Sequence, residues 1–451
     1  MKKIILYLVF VIAAALASAQ YNVESGWVDI NGSTKHAIVR YWKDKLAVAY
    51  YVEGGRGYIA LVDIENNTEM RYPLADNYYI RDICVLGADA YFCGCYSEGI
   101  EPSDMRYPPI ADNKGMLGHF HLPDAGCTPI NLDYHTVEGG VNILDRLETY
   151  NQAGNVHLVA IGRRYFSTPI GGGGYYTGWK TEIVEGDYYY TMPINLQHIS
   201  LGASSTGTER ERIFDVFETD NYVSFLGFYV NEGNGTAGIS IHRCDKGSAV
   251  ADYNNIPFHC YPTNEELLSV EHNVYLKEDY VAVLSLAHDN VRGYHTRLRV
   301  FDLTNMKMVR SQYYLCEKSE VSDATFVDGN GHLIVSHGLE EPSMLIDMHP
   351  FATSPYTTWQ IKHSGWEFSS LDAAHSTHCI AATGRRWFVK DVMQPVTTQG
   401  CYMFSDFHVG IMKNIEPVII APPPGDNPIA TRFDSLPTNL DSASGSYCTN
   451  P

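Results

Sequence analysis

Short apolar and aromatic runs alternate with glycine- and asparagine-rich breaks along most of this chain. The first block has runs at residues 36–42, 46–52, 58–64 and 68–74, parted by Gly54-Gly55-Arg56-Gly57 and Glu65-Asn66-Asn67. Glycine and asparagine tolerate the left-handed backbone that tight hairpins need. The spacing therefore predicts four antiparallel strands in succession. A later block repeats the scheme at residues 213–217, 222–230, 236–243 and 249–256. Few segments sustain a 3.6-residue period, which predicts little helix.

One detail recurs inside these blocks. Asp82 precedes Gly94, Asp215 precedes Gly227 and Asp372 precedes Gly384, each time by twelve residues, with two strand-like runs between. The residue ending the second run recurs as Gly54, Gly94, Gly162, Gly227, Ala287, Gly338 and Gly384, roughly 40 to 68 residues apart. A four-stranded blade with short turns takes about 40–50 residues, so the longer intervals hold insertions. These units resemble the blades of the β-propeller superfamily, over residues 26–421. The resemblance implies an all-β propeller of seven four-stranded blades, with six or eight still compatible because the last unit is irregular. It singles out no family, since the Trp-Asp signature, the kelch double glycine and the sialidase box are missing. An eight-stranded barrel or a pair of β-sandwiches fits a sustained period less well.

The ends of the chain read differently. Lys2 and Lys3, the apolar run 4–16 and Ala17-Ser18-Ala19 form a secretory signal peptide over residues 1–19, so export to the periplasm, cell surface or medium is expected. Residues 20–421 then form the propeller, and residues 422–451 a spacer opening on Pro422-Pro423-Pro424 followed by a polar tail. Within that tail Ser435 and Ser442 follow Asp434 and Asp441 and resemble acceptors of bacterial extracytoplasmic O-glycosylation. No run after the signal reaches the ~20 apolar residues of a membrane span. The formal net charge of -20 opposes binding to phosphate backbones, which excludes nucleic acid as a partner. Ten cysteines in an exported chain make disulfides expected, although Cys93 and Cys95 share a strand face and cannot bond each other.

Candidate chemistry gathers at one end of the predicted blades. Asp82, Asp145, Asp215, Asp323 and Asp372 stand at or near the start of the innermost strand, with His272 and Asn273 in that place in the fifth unit, and would ring one mouth of the channel. The plainer reading, an Asp capping a local turn through backbone, takes precedence. A converged carboxylate ring would need a cation such as Ca²⁺, or would supply a glycosidase-type acid and base. Two insertions belong to the same face. Residues 97–115 carry Arg106-Tyr107-Pro108-Pro109, and residues 164–179 carry Tyr165, Tyr175, Tyr176 and Trp179 around four glycines, as a flexible aromatic loop suited to sugar or peptide. His119 with His121, and His375 with His378, lack a third ligand, so no metal site is assigned. No nucleophile elbow, P-loop or H-E-x-x-H motif occurs. The expectation is an exported binding protein for a glycan, peptide or envelope protein, with a glycoside hydrolase or lyase as the alternative.

Overall fold

Each apolar run becomes a strand, and consecutive strands pair as antiparallel meanders. The computed structural model describes the strands between residues 28 and 433, with most of their connections up to residue 246; side-chain surroundings are described mainly between residues 38 and 246. The signal segment, the 99–111 part of the first insertion (with Arg106 to Pro109), the turn holding His375, and the tail with Ser435, Ser442 and Cys448 lie outside the described residues. Among the described residues no helix is long and apolar enough to cross a membrane.

The chain divides into two units, the larger comprising residues 32–263 with 440–450. Strand β1 (Val28–Thr34) belongs by its pairing to the other unit. The larger unit opens with β2 (Ile38–Lys43), β3 (Leu46–Glu53), β4 (Arg56–Asp63) and β5 (Thr68–Pro73), paired in that order. A second sheet follows from β6 (Tyr78–Leu86), β7 (Asp89–Tyr96), β8 (Lys114–His121) and β9 (Asp133–Thr136). The third has β10 (Ile143–Gln152), β11 (Asn155–Ile170), β12 (Gly174–Tyr189) and β13 (Met192–Leu201). β14 (Glu209–Glu218), β15 (Tyr222–Asn231), β16 (Thr236–Asp245) and β17 (Asn254–Ile256) make the fourth.

The other unit repeats the pattern. One sheet joins β18 (Glu265–Tyr275), β19 (Glu278–Asp289), β20 (Gly293–Asp302), β21 (Lys307–Leu315) and β29 (Thr431–Phe433). A second contains β22 (Asp323–Phe326), β23 (His332–Ser336), β24 (Ser343–Asp347) and β25 (Thr358–Ile361). The last comprises β26 (Glu367–Ala374), β27 (His378–Lys390) and β28 (Gly400–Met412), with β1 added at the outer edge. Its outermost strand thus comes from the far end of the sequence.

Successive meander sheets packed face to face define a propeller, and the larger unit shows why the strands read as unbroken apolar runs. Trp42, Val48, Tyr50 and Ile59 of the first sheet pack against Ile83, Phe92, Met116 and Phe120 of the second. The opposite face of that second sheet gives Tyr91, Cys93 and Leu117 to a layer shared with Leu144, Leu158, Ala160 and Tyr188. Val159, Ile161 and Ile183 then face Ile213, Val216 and Phe225 of the fourth. Side chains alternate between two apolar layers along β7 and β11, so both faces are buried and no polar phase survives in the sequence. Cys93 and Cys95 are free buried thiols, and their shared face keeps them from bonding each other.

The hairpin turns follow from their residues. Glu53 pairs with Arg56, so Gly54 and Gly55 form a two-residue turn with φ of 58° and 82°. That double positive φ is the hairpin geometry glycine supplies without strain. The recurrent glycine at the other end of the repeat has a different cause. A Cβ on Gly94 would stand 1.9 Å from the carbonyl oxygen of Tyr79, and one on Gly162 would stand 2.2 Å from that of Ile143. Each glycine lies opposite the residue where the first strand bulges, and the bulge drives that strand's backbone against it.

Candidate functional site

Bulges decide where the recurrent acids point. In β6 the register jumps between Ile80 and Asp82, in β10 between Leu144 and Arg146, and in β14 between Ile213 and Asp215. Asp82 lies opposite Cys93 and Asp215 opposite Leu226, each one residue short of its marker glycine. The matching residue of β10, opposite Ile161, is Arg146. Asp145 is instead the bulge residue, equivalent to Arg81.

The expected five-carboxylate ring is therefore corrected for Asp145. Its side chain turns into the sheet and forms a fork with Arg163, Nε to Oδ2 at 2.7 Å and Nη2 to Oδ1 at 3.0 Å. Arg81 Nε approaches the same carboxylate at 3.5 Å, and all three residues are buried. Asp372, despite its twelve-residue spacing, pairs with Ile380 close to the β26–β27 turn, and Asp323 pairs with Ser336 at the start of β22. Their registers differ from that of Asp82, and their side chains lie outside the described residues. His272 and Asn273 fall at the far end of β18, opposite Val281 and Tyr280, because that strand begins at Glu265.

What crosses the first strands of the larger unit is an alternating row of charge. Arg40 Nη2 donates to Asp82 Oδ1 at 2.7 Å, and its Nε donates to the carbonyl of Ile83 at 2.8 Å. Arg146 Nε stands 3.6 Å from Asp215 Oδ1 and also feels the charge of Asp82. Burial works against the charge on Arg146, yet Asp82 and Asp215 together raise its pKa. The cation a converged pair of acids requires is thus supplied by the chain itself. Asp82 also accepts from the Ile83 backbone N–H at 2.9 Å and, across the sheet boundary, from that of Leu147 at 3.1 Å. It caps backbone, as the plainer reading expected, but on its own strand and the next sheet's first strand rather than in a turn.

One pleat further along, Glu148 and Cys84 meet. Cys84 Sγ lies 3.4 Å from Glu148 Oε1 and 3.1 Å from Thr149 Oγ1, while the Thr149 N–H donates to Glu148 at 2.9 Å. Burial pushes the Glu148 carboxyl up to about 8 and that of Asp215 up to about 7, Arg146 pulling the latter back. Burial also raises the Cys84 thiol well above its ordinary value. A carboxyl held protonated by the fold stabilises below its unfolded pKa, and that stability is lost as pH rises toward the folded value. Because Glu148 is only half-buried, solvent softens the effect. Raising the pH from 5 to 8.5 is expected to cost about 2 kcal/mol through Glu148 alone. Glu148→Gln should remove most of that loss, read from urea midpoints across the range.

The second insertion is not a loop. β11 and β12 remain paired from Val156–Tyr188 out to Ile170–Gly174, whereas β10 stops opposite Arg163 and β13 opposite Thr181. Residues 164–170 and 174–180 therefore extend past the four-stranded body as a two-stranded ribbon. Tyr165 pairs with Trp179 and Pro169 with Tyr175, so these three aromatic positions share one face by register. Tyr176, opposite Thr168, belongs to the other face. At its base the Tyr165 N–H donates to Asn142 Oδ1 at 2.6 Å, and buried Glu182 has Arg164 Nη1 and His198 Nδ1 each at 3.8 Å.

Sequence reasoning missed Arg40, Arg146, Glu148 and Cys84. The sequence spacing held no signal for Arg146. By strand register, though not by distance from the marker glycine, Asp145-Arg146 is Arg81-Asp82 with the order reversed. His119 and His121 do meet a third group, Asp89, as hydrogen-bond partner, but among the described residues no cluster has the geometry to hold a metal ion.

The fold and these contacts define an all-β protein of the propeller type whose larger unit joins neighbouring blades through charged first strands. No protein-family model matches the chain, and no curated protein matches it. Among solved structures it is similar to Pyrococcus horikoshii acylaminoacyl peptidase, at 12% identity and a TM-score of 0.44. That alignment covers 78% of this chain and 50% of the peptidase, so the chain spans about half the length of the enzyme. The β-propeller domain of the trilobed protease from Pyrococcus furiosus is similar at 11% identity and a TM-score of 0.43, with 86% and 99% covered. An ulvan lyase of a new polysaccharide lyase family gives 8% identity and a TM-score of 0.45, with 84% and 96% covered.

Proposed function

We propose that this chain is an exported, noncatalytic binding propeller whose aromatic ribbon receives a glycan, peptide or envelope protein. The observation that carries this reading is the pairing of the acids. Asp82 is held by Arg40 and two backbone N–H groups, and Asp215 faces Arg146. Such carboxylates lash blades together and are poorly free to trade protons with a substrate. The ribbon, by contrast, brings the positions of Tyr165, Tyr175 and Trp179 to one face by register, the kind of platform on which recognition concentrates. A second reading, a glycoside hydrolase or lyase, draws on Glu148 and Asp215, whose pKa values of about 8 and about 7 suit an acid that holds its proton near neutrality.

Glycan and peptide arrays, run beside assays for reducing ends and unsaturated products, separate the two. Saturable binding without turnover is expected. Trp179→Ala and Tyr175→Ala should each weaken binding by roughly tenfold or more, as loss of an aromatic anchor does, whereas Asp215→Asn should leave it nearly unchanged. Turnover that disappears in Asp215→Asn or Glu148→Gln would establish the enzyme instead.

A further inference from the structure

Two neighbouring sheets hold the same three-residue cluster with its roles exchanged. Asp89 stands five residues before Gly94, and His157 stands five before Gly162. Their direct cross-strand partners are His121 and Asp187, and two residues before those come His119 and Glu185. In the first cluster Asp89 Oδ1 meets His119 Nε2 at 3.0 Å and His121 Nδ1 at 2.9 Å. In the second, His157 Nδ1 meets Asp187 Oδ1 at 2.8 Å and its Nε2 meets Glu185 Oε1 at 3.1 Å.

The exchange changes the proton requirement. A neutral imidazole has one N–H, so each histidine around Asp89 can donate to that carboxylate without carrying charge. His157 must donate from both nitrogens at once, which only the imidazolium can do. Deprotonation would set a ring lone pair against a carboxylate oxygen at hydrogen-bond distance. Among the described residues, the groups beyond the two carboxylates add no net charge, because the one cation among them is already paired. Tyr150 of β10 lies 5.1 Å from it, centroid to centroid. Lys246, just past β16, covers Tyr150 at 5.0 Å and is itself paired with Glu218 of β14. His157 and Glu185 are nearly buried, with side chains 13% and 10% exposed.

We propose that the His157–Glu185–Asp187 cluster is a pH-sensitive clasp on the β11–β12 hairpin, closed while the imidazole carries both protons and released when it loses one. The Asp89 cluster, whose hydrogen bonds neutral imidazoles can make, serves as the internal comparison. Burial opposes the charge on His157, but the hydrogen bonds to Glu185 and Asp187 outweigh it and raise the ring above its ordinary 6.5. Stability from the clasp is therefore complete below pH 6.5 and is lost as pH rises through the higher folded value.

Hydrogen exchange of the full-length chain at pH 6 and pH 8.5, corrected for intrinsic rates, tests this peptide by peptide. Protection of segments 155–160 and 182–189 is expected to fall by roughly tenfold or more at the higher pH, the effect of losing one charged hydrogen bond. Segments 88–92 and 117–122, whose hydrogen bonds need no imidazolium, should lose less. His157→Gln should make protection of the first pair equal at both pH values, while Glu148→Gln should leave their fall intact. Nitrogen NMR of the wild-type histidines gives a readout independent of any variant, with both His157 nitrogens protonated at pH 7. A neutral His157 at that pH, or equal loss of protection at both clusters, would overturn the proposal.

Discussion

Replacing Asp82 by alanine is expected to cost about 3–5 kcal/mol of stability, the range for breaking a mostly buried ion pair from one side. The carboxylate is the hydrogen-bonded partner of Arg40 and lies within the field of Arg146. It also accepts the backbone N–H groups of Ile83 and Leu147, the second of which belongs to the neighbouring sheet. Alanine would leave these donors in a largely dehydrated layer without the acceptor they share, and unpaired buried donors bear their full desolvation cost. Asp82→Asn should lose less, because its carbonyl oxygen still accepts one N–H. Urea unfolding followed by far-ultraviolet circular dichroism measures both. Had Asp82 served chiefly to hold an external cation, its removal in metal-free buffer would relieve repulsion and leave stability unchanged or higher.

A single methyl group at Gly94 or Gly162 should be comparably damaging. The added Cβ would meet a backbone carbonyl at 1.9 Å or 2.2 Å, and backbone cannot swing aside as a long side chain can. Either the bulge of β6 or β10 flattens, which unseats Asp82 or the Asp145–Arg163 fork, or the two strands part. The expected loss is about 3 kcal/mol or more, at the upper end of overpacking effects. Gly54→Ala and Gly55→Ala provide the comparison. Nothing lies within 4 Å of either added Cβ, so only the positive φ is strained. About 1 kcal/mol is expected there. Thermal melts of the four variants would rank them directly.

Much of the fold was legible because strand and turn signals are local. The predicted runs 46–52 and 58–64 became Leu46–Glu53 and Arg56–Asp63, and Gly54-Gly55 made the turn between them. The marker glycine was legible as a position but not as a cause, since the carbonyl it makes room for sits on another strand. The candidate site was less legible because a bulge shifts register without changing sequence spacing. Hairpin length hides it too: Asp82 and Asp372 both precede a glycine by twelve residues, yet one pairs one residue before its glycine and the other four, because the turns fall at different distances from that glycine. Asp145 was grouped with acids whose place Arg146 actually takes. The aromatic insertion reads as a loop in the sequence because its four glycines hide a strand pairing that Tyr165–Trp179 and Pro169–Tyr175 continue. Charge partners such as Arg40 and Asp82 lie 42 residues apart, beyond the reach of any local pattern.

The alternating row of charge is tested most directly by a double-mutant cycle on Arg146 and Asp215, with Arg146→Met, Asp215→Asn and the pair compared by urea unfolding at pH 8. The predicted coupling is about 1–3 kcal/mol, as expected of residues in one ion-pair network. Additive losses would mean that the recurrent acids do not lash neighbouring blades, and Asp215 would then be free for chemistry.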